Sequence, residues 1–308
     1  MEKNLKNGEK EFQKRKPITI KDGVITLEEL RQSTIISFIT QPPGNITTDS
    51  VMLIVDNLDA VTTKVKGETK KFKRLDLFLN STGGSIDAAY KIVKVCREYA
   101  EEFNVIVPLM AKSAATLICL GADEIVMPPV AELGPIDPII THPSKGTPVP
   151  ARSIRDFLEL VARRDQTTET ELSSILAPLI DRLDPWIVGT YETIMKISED
   201  YARRLLSSFM LKKDSKKAEE VARILTREIP SHLYAINRTE AAEDYDLKIL
   251  NVDPGDSLYD AIKQLFIIYT QFMNQNQIIL LSGTRDINRF AQAITLPSQK
   301  GIEPKGIL

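Results

Sequence analysis

The chain has 308 residues, 43% of them apolar and 27% charged, with the signs balanced to a formal net charge of −2. This suffices for one large core or two modest ones, and the balance argues against a nucleic-acid binder, which gathers a basic excess on one face. Two cysteines, Cys96 and Cys119, cannot build a disulfide framework and point to a reducing compartment, and two histidines, His142 and His232, are too few to suggest a structural zinc site.

The first twenty residues, MEKNLKNGEKEFQKRKPITI, lack the apolar core of a secretory signal. No run approaches the roughly 18 consecutive apolar residues of a bilayer span, and the most apolar late segment, QLFIIYTQFM, is short and interrupted by polar residues. No membrane span and a cytoplasmic location are therefore expected. Residues 1–33, polar and mixed in charge, read as a flexible arm. The main domain is expected over 34–255, followed by a C-terminal helix and loose tail over 256–308.

STIISFIT is rich in β-branched residues and reads as a buried strand. TTDSVMLIVDNLDAV follows as a helix that Asp49 or Ser50 could cap. KFKRLDLFLN is a second strand, ended by the turn STGG. SIDAAYKIVKVCREYAEEF is then an amphipathic helix with Ile86, Ala89, Ile92, Val93 and Cys96 on one face. The order repeats: NVIVPLM is a strand, AKS a turn, AATLICLGA a short apolar helix and EIVMPP a strand. Such alternation implies an α/β fold with parallel strands joined by right-handed crossovers. Beyond a proline-rich loop, GPIDPIITHPSKGTPVP, the chain becomes helical in IRDFLELVARR, around WIVGTYETIMKISEDYARRLLSSFML, and in KKAEEVARILTR. EIPSH and LYAI then lead to NRTEAAED, where Asn237 and Glu240 stand at capping-box spacing.

Two turns could carry chemistry. In Asn80-Ser81-Thr82-Gly83-Gly84-Ser85, paired glycines free the backbone to turn sharply and aim N–H groups outward, toward a phosphate or the oxyanion of acyl transfer. Neither GxxxxGK[ST] nor GxGxxG is present to favour phosphate, and Gly-Gly also serves as plain punctuation. In Ala111-Lys112-Ser113-Ala114-Ala115-Thr116, a serine opens a helix, where it is either a simple N-cap or a nucleophile favoured by the helix's positive end. Both turns fall at the carboxyl ends of parallel strands, the edge where open α/β sheets hold their sites. A nucleophile on one would face N–H donors on the other.

LFLNSTGGSIDAAYKIVKV followed by MAKSAATLICLGADEIVM resembles the paired signature of Clp-type serine peptidases, and in particular the serine dehydrogenase proteinases, the SDH family. The resemblance runs from about residue 35 to about 253. It implies a Clp/crotonase-like fold, with Ser113 as nucleophile and an oxyanion hole from the backbone N–H groups of Gly83 and Ala114. The family's chain order, Ser then Asp then His, falls here on Ser113, Asp137 and His232. In that scheme His232 takes the serine proton and Asp137 orients the imidazole. Other bases are open to the residues: His142, close after Asp137, or a Ser–Lys dyad with Lys145. The lysine position of the signal peptide peptidases falls near Ser153 to Arg155, and Lys112, next to the nucleophile, should point away from it. Cys119, inside an apolar helix, reads as core. The chain has His-Leu-Tyr-Ala-Ile where the family shows His-Gly-Tyr-Pro-Ile. It also has Asp246 where a glycine ends the next helix, a place aspartate can fill in the left-handed conformation.

The expected activity is that of an ATP-independent serine endopeptidase cutting peptide or protein substrates through an acyl-enzyme on Ser113. No cofactor, metal or nucleic acid is expected, and no ATPase motif is present. The superfamily implies a homo-oligomer, with Leu265, Phe266, Ile268 and Tyr269 of the last helix available to a neighbour. Two rivals share the fold: an acyl-CoA hydratase or isomerase, whose N–H pair would hold a thioester enolate, and an inactive scaffold or interaction protein.

Overall fold

The computed structural model describes residues 19–62, 64–65, 68–136, 139–141, 148–150, 185–229 and 231–292. The chain opens with helix α1 (Ile20–Arg31), strand β1 (Thr34–Thr40), helix α2 (Thr48–Val61) and a small hairpin, β2 (Lys64–Val65) and β3 (Glu68–Thr69). Strand β4 (Phe72–Asn80), helix α3 (Ile86–Tyr99), strands β5 (Ala100–Ile106) and β6 (Met110–Ala111), helix α4 (Ala114–Leu120) and strands β7 (Ile125–Met127) and β8 (Glu132–Leu133) follow. Next come a hairpin of β9 (Ile139–Thr141) and β10 (Pro148–Pro150), then helix α5 (Pro185–Ser208) and helix α6 (Ser215–Arg223), which continues as a π-helical turn at Ile224–Glu228. Strand β11 (Ile236–Asn237), helix α7 (Arg238–Glu243), strand β12 (Ile249–Asn251), helix α8 (Ser257–Gln275) and strands β13 (Ile278–Gly283) and β14 (Asn288–Gln292) complete it.

The central sheet has seven strands in the order β12-β7-β5-β4-β1-β13-β14. From β12 to β1 every pair is parallel; β13 and β14 add antiparallel at the far edge. Strands covered on both faces are apolar at nearly every position. One face sets Ile36, Phe38, Leu77, Leu79 and Val105 against α2, α3 and α4, through Ile54, Leu58, Ile92, Val93 and Leu117. The other sets Ile35, Ile39, Phe78 and Ile106 against α1 and α8, through Val24, Leu27, Leu265 and Tyr269. Ala89, Ile92, Val93 and Cys96 are buried in the first of these layers, and Ile86 packs at its margin.

Several sequence expectations need correction. Within the stretch read as a flexible arm, residues 20–31 form a helix with a Thr19–Asp22 capping box. It lies so close to α8 that a Cβ on Gly23 would come within 2.9 Å of Leu265 Cδ1. Leu265 and Tyr269, expected to await a neighbouring copy, are fully buried inside this chain, and the Tyr269 hydroxyl donates to Ser37 Oγ at 2.8 Å. Part of the expected tail is sheet: β13 pairs with β1 from Ser37↔Gly283 to Thr40↔Leu280. The N-cap of α2 is Thr47, and Ser50 serves as its partner by accepting the Thr47 N–H at 3.0 Å. Asn237 caps α7 as its spacing suggested, accepting the N–H groups of Thr239 and Glu240. Glu240 takes the Tyr245 hydroxyl instead of closing the box. Among the described residues, no helix is long and apolar enough to cross a membrane.

A buried ionic cluster joins α1 to the sheet. Arg31 Nε lies 2.7 Å from Asp76 Oδ2, with side chains 5% and 0% exposed, and a second Arg31 nitrogen reaches Glu124 at 3.0 Å. Asn104 and Ser33 also donate to the Asp76 carboxylate, at 2.9 and 3.1 Å. Burial alone would lower the Arg31 pKa, but the facing carboxylates of Asp76 and Glu124 more than offset it and raise it. Removing one partner strands the other charge in the interior. Asp76→Ala is therefore expected to lower unfolding stability by about 3–5 kcal/mol, read by denaturant titration.

Burial also pushes the Cys96 thiol up to about 12, and raises the Cys119 thiol and the Tyr245 and Tyr269 hydroxyls above their ordinary ranges. Acids raised in the folded state stabilise it fully below their unfolded values, and that contribution is lost as pH climbs toward the folded ones. The thermal midpoint should accordingly fall as pH rises past about 9. Iodoacetamide should leave both thiols unmodified until the protein unfolds.

Candidate active site

Beside the carboxyl ends of the central strands lies a second sheet of three short strands, in the order β11-β8-β6. β6 runs parallel to β8, pairing Met110↔Glu132 and Ala111↔Leu133. β11 runs antiparallel to β8, pairing Ile236↔Leu133 and Asn237↔Glu132. Direction decides what emerges at each end. Where β6 and β8 exit, the chain proceeds to Ser113 and to Gly134; at that same end β11 enters, so the residues just before it, His232 to Ala235, arrive there too. A parallel bridge between Ser81 and Ala111 adds the glycine turn to this end. Its hydrogen bonds are Ser81 N–H to the Met110 carbonyl at 3.1 Å and Lys112 N–H to the Ser81 carbonyl at 2.9 Å.

Ser113 occupies the corner between β6 and α4 with φ 52° and ψ −118°, a backbone conformation that costs a non-glycine residue about 1–3 kcal/mol. It stands at the N-cap position yet its side chain caps nothing, so the reading of a simple capping serine does not hold. The hydroxyl has no hydrogen-bond partner among the described residues, and the residue is 7% exposed. Behind it, Ala114 to Leu120 are all fully buried. The Ala114 amide, first in the helix, has no intrahelical acceptor.

The glycine turn packs directly on this corner. Gly83 has φ 112°, and a Cβ there would stand 2.8 Å from both Ser113 Cβ and the Lys112 carbonyl, and 3.2 Å from the Ala114 nitrogen. Gly84, with φ 143°, is pressed against Ile46, whose N–H donates to the Gly83 carbonyl at 2.8 Å. The Gly83 N–H donates to Ser81 Oγ at 3.1 Å, and Ser81 Oγ also accepts the Thr40 hydroxyl at 2.8 Å. Thr116 secures the other side. Its Oγ1 lies 2.7 Å from the Ala111 carbonyl and accepts the Gly134 N–H at 3.1 Å.

His232 is half-buried in a turn in which Tyr234 N–H donates to the Ser231 carbonyl and Leu233 N–H to Ser231 Oγ. Lys112 links this turn to the Ser113 corner: its Nζ donates to the Tyr234 carbonyl at 3.0 Å. The segment toward Asp137 is anchored by Ile136, fully buried, whose N–H donates to the Leu225 carbonyl at 2.7 Å. Asp137 itself lies outside the described residues, as do His142, Lys145 and Ser153–Arg155. Cys119 is core, as read from its helix. Asp246 takes the left-handed conformation, φ 50°, at the place where the family carries glycine. Among the described residues no group of three or more histidine, cysteine or acidic side chains could hold a metal ion.

Sequence reasoning missed the polar residues behind these turns. Thr40, Ser81 and Thr116 are buried hydroxyls, each with at least one partner from a distant segment, and only Thr116, one helical turn beyond Ser113, carried a positional signal.

A strained serine at a strand-to-helix corner, beside a glycine turn at the carboxyl edge of a parallel sheet, is an arrangement suited to an α/β serine hydrolase. A family model described as ClpP-like SDH-type serine proteinase matches residues 10–282, and the chain belongs to that family of serine peptidases. Two relatives come from Methanocaldococcus jannaschii. The one named Uncharacterized protein MJ0137 is 30% identical over 205 residues, 67% of this chain and 62% of that protein. Uncharacterized protein MJ1495 is 29% identical over 199 residues, 65% of this chain and 58% of that protein. The chain thus spans about three-fifths of the length of the relatives it matches. Similar solved structures are more remote. A serine-to-alanine form of the 1510-N membrane-bound stomatin-specific protease has 14% identity and a TM-score of 0.41, covering 82% of this chain and 87% of that one. A lysine-to-alanine form of that protease with a substrate peptide has 13% identity and a TM-score of 0.42, covering 84% and 86%. ClpP1 from Listeria monocytogenes has 13% identity and a TM-score of 0.39, covering 72% and 94%.

Because a methyl group at residue 83 would strike the backbone of the Ser113 corner, Gly83→Ala should displace Ser113. Peptidase activity is expected to fall by about 10²-fold or more, with a smaller loss in thermal midpoint, checked by peptide hydrolysis and calorimetry.

Proposed function

We propose that the protein is an ATP-independent serine endopeptidase acting on peptide or protein substrates. Ser113 is the nucleophile, His232 the general base and Asp137 the group that orients the imidazole. In this reading the Ser113 hydroxyl attacks the scissile carbonyl as His232 Nε2 takes its proton. The oxyanion that forms accepts N–H groups from Ala114 and Gly83. The Gly83 amide, held by Ser81 Oγ in the resting site, turns to the stronger acceptor as charge develops. His232 then returns the proton to the leaving amine, and water releases the acyl group by the same route in reverse. The chemistry uses no metal or cofactor. A homo-oligomer in the cytoplasm completes the proposal.

One observation carries it. The short antiparallel strand β11 brings the His232 turn to the end of the three-stranded sheet where Ser113 emerges, its hydroxyl capping nothing and without a hydrogen-bond partner among the described residues. A hydratase or isomerase holding a thioester enolate needs only the two amides and gains nothing from a serine strained by about 1–3 kcal/mol at that corner. A scaffold gains nothing from it either.

A fluorophosphonate probe should label the wild-type protein on Ser113 and leave Ser113→Ala unlabelled. His232→Ala should fold normally and lose about 10⁴-fold or more in turnover of a protein substrate. Failure of the wild type to label or to cleave any peptide bond would overturn the peptidase reading.

A further inference from the structure

We infer that Lys112 is a positioning residue for peptide hydrolysis, a cationic staple that sets the His232 turn against the Ser113 corner; this rests on the reading of those two residues as base and nucleophile. Its side chain, 12% exposed, ends on three oxygens. Nζ lies 3.0 Å from the Leu133 carbonyl, 3.0 Å from the Tyr234 carbonyl and 2.8 Å from Glu132 Oε1. An ammonium has three protons and no lone pair, so this set satisfies it fully and leaves it no role as a base.

Each contact falls on a segment that matters. Leu133 is the last residue of β8, on the path to Asp137, and Tyr234 lies two residues beyond His232. The main chain of Lys112 is fixed as well: its N–H donates to the Ser81 carbonyl and its carbonyl accepts the Ala115 N–H, both at 2.9 Å. One residue therefore joins the glycine turn, the nucleophile corner, the β8 exit and the histidine turn. Gly134 supports the assignment independently, since a Cβ there would come within 2.6 Å of Lys112 Cδ. A glycine beside β8 is what the lysine stem requires in order to pass. The main-chain hydrogen bonds joining β11 to β8 end at Ile236, so Tyr234 and His232 lie beyond the ladder that would otherwise hold them. Glu132 neutralises the ammonium at short range, so the staple brings no net charge to the site.

Lys112→Met keeps the apolar stem and removes the three bonds. Three measurements test it on the full chain: the rate of fluorophosphonate labelling, kcat and KM for one peptide substrate, and amide hydrogen exchange across 231–236 compared with β4 and β5. Positioning predicts that labelling and kcat fall by about 10²-fold with KM little changed, that the 231–236 amides exchange faster, and that the β4 and β5 amides keep their protection. Labelling and kcat within about twofold of wild type would overturn it, as would slowed labelling with unaltered exchange at 231–236. If Lys112→Met does not fold, Gly134→Ala, which displaces the stem without removing the charge, must show the same pattern or the inference fails. A wild-type protein that does not label defeats the serine-peptidase reading instead. Exchange at 231–236 then still decides whether the lysine holds the turn.

Discussion

The hydrogen bonds between β8 and its two short neighbours, β6 on one side and β11 on the other, settle at which end of the small sheet Ser113 and the His232 turn emerge. Each neighbour contributes only two residues to the ladder. Because β6 runs with β8 and β11 against it, one chain leaves the small sheet at the end where the other enters. Segments separated by more than a hundred positions are thereby delivered to one edge without a long loop. Were β11 parallel, the same residues would place His232 at the opposite end from Ser113. The chemistry proposed here depends on strand direction before it depends on any side chain.

The strained corner needs a rigid frame, and the structure supplies it with buried hydroxyls rather than with bulk. Ser113 holds φ 52° between an apolar helix and a glycine that nothing larger could replace. Thr40 and Ser81 brace the glycine turn from behind, and Thr116 binds the corner to Gly134. A buried hydroxyl left without a partner costs on the order of 1–3 kcal/mol, so each of these contacts penalises any shift of the turns it joins. Toward the entry of the parallel strands, the Arg31–Asp76–Glu124 cluster plays a comparable part by fastening α1 to β4. The two polar clusters hold opposite ends of a largely apolar sheet.

Much of this was legible in the residues. Alternating apolar runs and glycine-marked turns gave away the parallel strands and the helices between them, and marked the serine at the second turn as a candidate. Ile20–Arg31 was not, because its mixed charges hide an apolar stripe of Val24 and Leu27 that makes sense only once α8 lies against it. Ile278–Gly283 was missed for a different reason. A six-residue apolar strand after a long helix reads as a helix end or a tail until its partner, β1, is known. Ile236–Asn237 is too short for any periodicity. Lys112 was expected to point away from the serine; its three acceptors are backbone and side-chain oxygens from β8 and the histidine turn, which spacing along the chain cannot reveal.

In the proposed site, a staple next to Ser113 would limit which residues can vary. A catalytic histidine carried on a turn needs a fixed distance to its serine, yet turns drift readily because few apolar contacts hold them; Leu233, beside His232, is 84% exposed. A main-chain carbonyl offers an anchor that does not depend on which side chain the turn carries. By gripping the carbonyl of Tyr234, Lys112 lets the exposed side chains around the histidine differ, as His-Leu-Tyr-Ala-Ile differs here from the glycine- and proline-containing version, while the backbone keeps its place. The constraint is thereby transferred to residues that cannot vary freely: the lysine, the glycine its stem passes, and the carboxylate that balances its charge.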